Sequence, residues 1–168
     1  YQELKSLKSI VGEYAGGAIG NTLHHYSVLS DARSVALGAS SKNISVGDYA
    51  FKYICTTNSF VDFSFLKPVE GPMGRALCLL TPDRERSFLI GKGIMNELSP
   101  EFIPEDVIKS SSLLLVSAYS LRDENSSMFK ANLKACEYAK KYNVPVVLSL
   151  GTSSLISAKR DFFIDFIK

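Results

Sequence analysis

The chain has 168 residues, of which 46% are hydrophobic and 21% are charged, and its formal net charge is +2. These values are typical of one soluble globular domain with a real core, and so small a charge gives no indication of a nucleic-acid or membrane partner. No apolar run approaches the roughly 20 residues of a membrane span, so we expect neither partner. The three cysteines, Cys55, Cys78 and Cys136, are too far apart for a disulfide framework or a metal site, which predicts a cytoplasmic protein.

A glycine-rich turn near the N-terminus leads into a predicted helix. The turn is Ala15–Thr22 and the helical pattern follows over Leu23–Leu29. Glycine allows positive φ and close approach, and a helix opened by such a turn presents free amide groups to an oxygen-rich ligand. Asn21 adds an amide that both donates and accepts hydrogen bonds, which suits a diol. From these residues alone, a ligand turn and a plain connection both remain open.

The two ends of the chain resemble interior segments of a longer protein. The chain begins with Tyr1 inside a predicted helix over Tyr1–Ile10, and it stops at Lys168 inside an amphipathic pattern. Neither end carries a helix cap or stop signal. We therefore expect the chain to be part of a longer protein.

In the middle of the chain, a pattern of alternating strands and helices gives way to a pattern of strands alone. Arg33–Ala39 predicts a strand, and Gly47–Cys55 has apolar residues at helical spacing. Phe65–Ile90 has no helical period; its strand-like runs Arg75–Leu80 and Arg86–Ile90 are joined by a turn containing Pro and Asp. These features predict a β-hairpin in a small separate sheet, the usual form of a lid, as an insert at about residues 64–92.

The C-terminal part returns to alternating strands and helices. A short helix is predicted over Glu105–Ser110, and the apolar runs Ser112–Tyr119 and Val144–Leu150 predict strands buried on both faces. Between them, Ser126 is a predicted N-cap of a helix that runs to Tyr142. A final helix runs to the end of the chain. The pattern predicts an α/β fold with a parallel sheet covered by helices.

Six segments, in the same order, resemble elements of the ribokinase-like family of sugar and nucleoside kinases. The first is Gly-Gly-x-x-x-Asn, followed by a strand, a lid strand, a turn with Glu and Arg, the return from the lid, and a helix-to-strand entry. Within the family, these segments are most similar in sequence to those of bacterial purine nucleoside kinases that act on inosine and guanosine. The segments are residues 16–21, 33–38, 71–76, 83–88, 93–98 and 139–148.

This resemblance implies a fold, a reaction and site residues. The fold would be an αβα Rossmann-like core with a small β lid, of which residues 1–168 form a partial domain. The reaction would be transfer of the ATP γ-phosphoryl group, with Mg²⁺, to the 5′-hydroxyl of a purine nucleoside in purine salvage. Gly16, Gly17 and Asn21 would bind the ribose. Arg86 on the lid would stabilise charge on the phosphoryl group, and a homodimer through the lid is an expectation.

Two departures from the family pattern limit what the chain is expected to do. Met73 replaces the Thr that the family usually carries at the start of the lid strand. The Gly-Ala-Gly-Asp motif, whose Asp is the family's catalytic base, does not occur in the chain. We therefore expect the catalytic base to be absent from this chain and the isolated chain to be inactive. A sugar or sugar-phosphate kinase of the same fold, and a ligand-binding module without catalysis, remain alternatives.

Two further residues have competing interpretations. Tyr119 ends a predicted buried strand, where the ligands of open α/β sheets collect, so it is a candidate for stacking on a nucleobase or for packing at the edge of the core. Arg86 on a hairpin is either a solvated charge or the phosphoryl contact that the resemblance implies.

His24 and His25 are adjacent on a helix and point in different directions, which argues against a shared metal.

Overall fold

The computed structural model describes residues 10–14, 16–42 and 60–168, and the chain divides into two compact units. Unit 1 comprises Tyr1–Ala36 and Ile44–Phe63, and unit 2 comprises Leu37–Asn43 and Ser64–Lys168. The helices predicted over residues 1–10 and 47–55 lie outside the described residues, except that Ile10 has no regular structure.

In the described part of unit 1 there are one helix and a short parallel pair of strands. Helix α1 is Ala18–Leu29, and strand β1 (Ser34–Val35) pairs in parallel with β3 (Val61–Asp62). The helix begins five residues before the predicted Leu23, because Gly17 alone among the described residues of the glycine-rich turn has a positive φ, of +102°. Thr22 fits the helix because its hydroxyl donates to the Ala18 carbonyl at 2.8 Å.

Unit 2 begins with a second parallel pair and then the hairpin. Strand β2 (Gly38–Ser41) pairs in parallel with β4 (Leu66–Val69), and β5 (Arg75–Leu80) pairs antiparallel with β6 (Arg86–Gly91). The hairpin prediction is confirmed. The strand predicted over Arg33–Ala39 is instead two short strands, β1 and β2, which lie in different sheets.

The rest of unit 2 alternates helices with a third parallel pair. A 3₁₀ turn and helix α2 precede β7, a second 3₁₀ turn follows it, and the long helix α3 leads to β8. Two short helices close the chain. In order, these elements are Pro100–Phe102, α2 (Glu105–Ser110), β7 (Leu114–Ser117), Ala118–Leu121, α3 (Ser127–Lys141), β8 (Val146–Ser149), α4 (Ser153–Ala158) and α5 (Arg160–Phe166).

Helix α3 organises the core of unit 2. Its predicted N-cap is confirmed, because the Ser126 hydroxyl accepts a hydrogen bond from the Phe129 amide at 3.1 Å. Its buried face consists of Phe129 and of alanines spaced four residues apart, whereas Leu133 is exposed. Small side chains at that spacing let neighbouring segments approach the helix closely. The alanines are Ala131, Ala135 and Ala139, packed with Leu98, Ile103, Ile108 and Val144.

The two apolar strands are shorter and more exposed than their patterns predict. Strand β7 ends at Ser117, since Ala118–Leu121 turns into a 3₁₀ helix and takes Tyr119 out of the strand. In β8, Val146 and Val147 are 40% and 44% exposed. The prediction of burial on both faces is therefore wrong for β8, because β7 is its only neighbour among the described strands. The final helix is broken at Lys159, which separates α4 from α5.

Candidate functional site

The glycine turn forms the N-terminal end of α1 in unit 1. Gly17 precedes the helix, and the Asn21 amide donates to the Gly17 carbonyl at 2.9 Å, the first bond of the helix. Gly16, Gly17 and Asn21 are exposed, and a Cβ on either glycine would meet no atom within 4 Å. Asn21 therefore lies in the first helical turn rather than in the loop. This arrangement presents amide groups and one side-chain amide to solvent, as an oxygen-rich ligand requires.

Arg86 lies at the tip of the hairpin in unit 2. It is exposed and opens β6 opposite Leu80. The turn before it is fixed by Asp83, whose carboxylate accepts from the Thr81 hydroxyl and from the Glu85 amide at 3.3 Å. The Thr81 hydrogen bond, followed by the amide bond, lowers the pKa of Asp83. The guanidinium of Arg86 has no ion pair within the described ranges, so it is available to an anion.

The base of the hairpin is a point of close backbone approach. The Ile94 amide donates to the Pro72 carbonyl at 3.1 Å, and Gly93 has a φ of +50°. A Cβ on Gly93 would lie 2.2 Å from the Pro72 oxygen, and one on Gly74 would lie 2.9 Å from the Lys92 oxygen. Only glycine fits this crossing without moving one of the two backbones. The two ends of the hairpin are thus fixed to each other where it joins the unit.

Met73 lies at the same crossing, at the position where the family pattern has Thr. Its sulfur accepts a hydrogen bond from the Ser41 amide at 3.3 Å, and the Ser41 hydroxyl donates to the Gly71 carbonyl. A thioether accepts hydrogen bonds but has no donor. The residue therefore connects the hairpin base to β2 without supplying the hydroxyl that the family pattern has there.

Tyr119 lies beyond the carboxyl ends of β7 and β8. Ser117 and Ser149 are the last paired residues of the two strands. The Ser117 hydroxyl accepts from the Tyr119 amide at 3.3 Å, which holds the 3₁₀ turn that follows β7. The tyrosine is 39% exposed, so the packed-core interpretation is incomplete and its ring is open to a ligand.

Two neighbours determine where the Tyr119 ring lies. Gly151, with a φ of +76°, follows β8, and a Cβ there would lie 2.9 Å from the ring atom Cε2. The guanidinium carbon of Arg122 lies 5.4 Å from the ring centroid. The sequence patterns do not point to either residue as part of a site. The available signals are a glycine directly after a buried strand, and an arginine three residues after the aromatic residue.

Lys159, at the break between α4 and α5, supports the turn that carries Arg122. Its ammonium donates to the carbonyls of Leu121 and Arg122 at 3.2 and 3.1 Å and pairs with Glu124 at 2.7 Å. Its side chain is 17% exposed and passes the ring of Phe162 at 4.9 Å. A charge held this way fixes the end of the 3₁₀ turn.

A second charged cluster joins α2 to the end of α3. Glu105 accepts hydrogen bonds from the Lys141 ammonium and the Tyr142 hydroxyl, both at 2.6 Å. The Lys141 bond, then the Tyr142 bond, lowers the pKa of Glu105, and the same contacts raise the pKa of Lys141. The three partners satisfy one another, so this cluster is structural.

The described residues do not themselves form a metal site. Within residues 10–14, 16–42 and 60–168, no group of three or more His, Cys, Asp or Glu side chains could hold a metal ion. We therefore assign no Mg²⁺ ligand and derive no step through the ion. Nor does any helix in this part of the chain have the length and apolar character that crossing a membrane requires.

The sequence-predicted site residues are divided between the two units. Gly16, Gly17 and Asn21 lie in unit 1, and Arg86 and Tyr119 lie in unit 2. Within unit 2, the described structure shows no hydrogen bond, ion pair or ring contact between Arg86 and Tyr119. The structure thus describes a glycine-rich helix start, a hairpin arginine and an aromatic residue as three separate features.

Known proteins resemble the chain in sequence and in fold. Guanosine-inosine kinase of Escherichia coli strain K12 is 48% identical over 169 aligned residues, covering 100% of this chain and 39% of the relative's length. The adenosine kinase of Sinorhizobium meliloti has a TM-score of 0.76 at 23% identity and covers 98% of this chain and 50% of that one. Fructokinase of Xylella fastidiosa with bound ATP has a TM-score of 0.70 at 15% identity, and the match covers 85% of this chain and 44% of the fructokinase chain.

No family model matches the chain. The chain spans about two fifths of the length of the curated relatives it matches, and about half of the length of the matching solved structures. The structural matches confirm the predicted α/β fold, as a partial domain. The chain is therefore a homologue of guanosine-inosine kinase over its whole length, and its fold is that of the ribokinase-like sugar and nucleoside kinases.

Proposed function

We propose that the full-length protein containing this chain is an ATP-dependent purine nucleoside kinase that converts inosine and guanosine to their 5′-monophosphates. The observation that carries the proposal is the 48% identity to guanosine-inosine kinase along the entire chain. In the reaction the nucleoside 5′-oxygen forms a bond to the γ-phosphorus, and the bond from that phosphorus to ADP breaks. The proton of the 5′-hydroxyl passes to a base that lies outside this chain.

The residues of unit 1 are proposed to bind the ribose. Asn21 offers both a donor and an acceptor at the start of α1, where the helix dipole and open amide groups favour oxygen ligands. Gly16 and Gly17 leave that end uncovered by side chains. The ribose diol matches these groups because each hydroxyl both donates and accepts hydrogen bonds.

The residues of unit 2 are proposed to contact the base and the transferred phosphoryl group. Tyr119 is exposed at the carboxyl ends of two parallel strands, where ligands bind in open α/β sheets, and its ring would stack on a purine. Arg86 on the hairpin would stabilise the negative charge of the phosphoryl group when the hairpin acts as a lid. The crossing at Gly93 would keep the two ends of the hairpin together during that motion.

The remaining parts of the site are proposed to come from outside this chain. The Gly-Ala-Gly-Asp motif is absent from its sequence. ATP and Mg²⁺ are the cofactors proposed for the full-length protein, in line with a fructokinase of the same fold solved with ATP. Mg²⁺ would neutralise charge on the ATP phosphates. On this proposal the 168-residue chain alone does not phosphorylate nucleosides.

The hairpin is also the surface proposed for a homodimer, in a protein located in the cytoplasm. In the antiparallel register, Cys78, Phe88 and Ile90 share one face of the hairpin, and all are exposed. An apolar sheet face of this kind favours contact with a second copy. Sedimentation velocity of the full-length protein tests this: Phe88→Ser is expected to shift a dimer toward monomer, and a monomeric wild type would contradict the proposal.

A substrate panel tests the proposed reaction. The full-length protein would be assayed with ATP, Mg²⁺ and each of inosine, guanosine, adenosine, ribose and fructose 6-phosphate. We expect phosphorylation of inosine and guanosine. Product from a sugar but not from either nucleoside would favour a sugar kinase, and binding without any product would favour a ligand-binding module.

The role of Asn21 is tested by Asn21→Ala in the same protein, with the adjacent Thr22→Ala as a matched control. Losing one or two hydrogen bonds to the ribose is expected to raise KM about 5- to 30-fold with little change in kcat. Thr22 already satisfies its hydroxyl within the helix, so its variant should behave like the wild type. Unchanged kinetics in Asn21→Ala would remove Asn21 from the site.

A further inference from the structure

Tyr119 and Arg122 form a pair that combines an aromatic ring with hydrogen-bond donors. The Arg122 guanidinium carbon is 5.4 Å from the centre of the tyrosine ring, farther than the roughly 3.5–4 Å of direct van der Waals stacking. Arg122 is exposed and makes no ion pair within the described ranges. A planar group whose donors are free within the described residues therefore lies over an exposed aromatic ring.

The surrounding backbone holds this pair in place. The Arg122 amide donates to the Tyr119 carbonyl, at 3.4 Å, and the Lys159 ammonium holds the Arg122 carbonyl at 3.1 Å. After the end of β8, Gly151 lies so close to the ring that even a methyl group there would collide with it. The position of the ring is thus set by Gly151, and the position of the guanidinium by the 3₁₀ turn.

Guanosine and inosine, the nucleosides named for the homologous kinase, share one feature that adenosine lacks. Guanine and hypoxanthine both carry a carbonyl oxygen at C6 next to the acceptor N7, whereas adenine carries an amino donor at C6. An arginine donates two hydrogen bonds to the O6 and N7 edge of a purine and is repelled by the adenine amino group, since both are donors. A base stacked on Tyr119 would have this edge within reach of an arginine three residues farther along the chain.

We infer that Arg122 is the specificity-determining residue that selects 6-oxopurine nucleosides, with Gly151 as a positioning residue that sets the Tyr119 ring beneath the base. This inference rests on the proposed function, since it names the base class that the same site accepts. It assigns Arg122 a role in the choice of base and none in phosphoryl transfer.

The test uses the full-length protein with Arg122→Met, and with Arg160→Met as a control arginine that is exposed on α5. Substrates are guanosine, inosine, adenosine and purine riboside, which lacks any group at C6. We expect Arg122→Met to lower kcat/KM for guanosine and inosine about 5- to 150-fold, the range for one bidentate contact. Purine riboside keeps the N7 acceptor but lacks O6, so its kcat/KM should fall by a smaller factor, and the preference for guanosine and inosine over adenosine should shrink.

The alternatives give different results. If Arg122 contacts a phosphate group, kcat falls for every nucleoside, purine riboside included, and the inference is overturned. It is also overturned if Arg122→Met keeps the wild-type preference. If the wild type phosphorylates no nucleoside, the proposed function fails; in that case binding of free guanine and adenine by calorimetry still tests the inference, because the variant should lose its preference for guanine.

Gly151→Ala tests the positioning role separately. The added methyl group lies 2.9 Å from the ring and the φ of +76° is unfavourable for alanine, so the ring must move. We expect KM to rise at least fivefold for all purine nucleosides, purine riboside included, with kcat within twofold of the wild type. A variant with lower stability but unchanged KM would show that Gly151 is structural only.

Discussion

Lys159 provides the sharpest test of how the candidate base site is held. In Lys159→Met, the carbonyls of Leu121 and Arg122 lose a charged donor at 3.2 and 3.1 Å. Hydrogen bonds to charged groups contribute about 1.5–3 kcal/mol each when buried. We use the lower end, because the Arg122 carbonyl is partly open to solvent. The exposed ion pair with Glu124 adds about 0–1 kcal/mol, and methionine retains the apolar packing against Phe162.

The sum predicts a loss of about 3–4 kcal/mol in the free energy of unfolding. Urea denaturation of the full-length protein, monitored by circular dichroism, measures it. Lys130→Met is the matched control, since Lys130 is exposed on α3 and is expected to change stability by less than about 0.5 kcal/mol. A loss below about 1 kcal/mol in Lys159→Met, or a loss equal to the control, would refute the argument that the ammonium holds this turn.

Three further predictions address the hairpin base, the cysteines and the α2–α3 cluster. Gly93→Ala should cost more than about 2 kcal/mol of stability, because its Cβ would lie 2.2 Å from a backbone oxygen at a φ of +50°; Gly16→Ala, which meets no atom, should cost far less, and equal losses would contradict the structure. Burial raises the pKa of the Cys136 thiol to about 11, so about one thiol in 10,000 is ionised at pH 7. With the third cysteine replaced by serine, a thiol reagent should label the exposed Cys78 long before Cys136, and the reverse order would refute this. Hydrogen bonds from Lys141 and then Tyr142 lower the pKa of Glu105 from its usual value of 4.5. The stabilisation that the Glu105 carboxylate gives the fold is therefore present above pH 4.5, and it is lost as the pH falls through the pKa of the folded state. The stability difference between wild type and Glu105→Gln should thus be present at pH 7 and absent at pH 2, and a difference independent of pH would exclude a role for the charge.

The position of the hairpin has a direct bearing on the proposed lid. Its crossing at Gly93 fixes the two ends together, while Arg86 at the tip remains exposed and the turn before it is held by Asp83. A lid requires a firm base and a charged tip that can approach a ligand. Both properties are present in this hairpin, although neither one alone identifies a kinase.

The sequence by itself determined the elements whose signals are local. The helix over Glu105–Ser110, the N-cap at Ser126 and the hairpin strands all follow from capping, turn chemistry and alternation between neighbouring residues. The glycine-rich turn and its resemblance to a kinase motif also lie within a few residues. Such features are predictable because the atoms that stabilise them are close in sequence.

Only the tertiary structure decided the features that depend on distant residues. A strand pattern cannot tell that Tyr119 leaves β7 in a 3₁₀ turn, or that β8 remains half exposed, because both depend on which neighbours cover them. Gly151 approaches Tyr119 only when two parallel strands bring their carboxyl ends together. Arg122 beside that ring is likewise a product of the turn and of Lys159 beneath it. The sequence therefore identified the glycine-rich turn and the class of fold, whereas the candidate base site follows from packing.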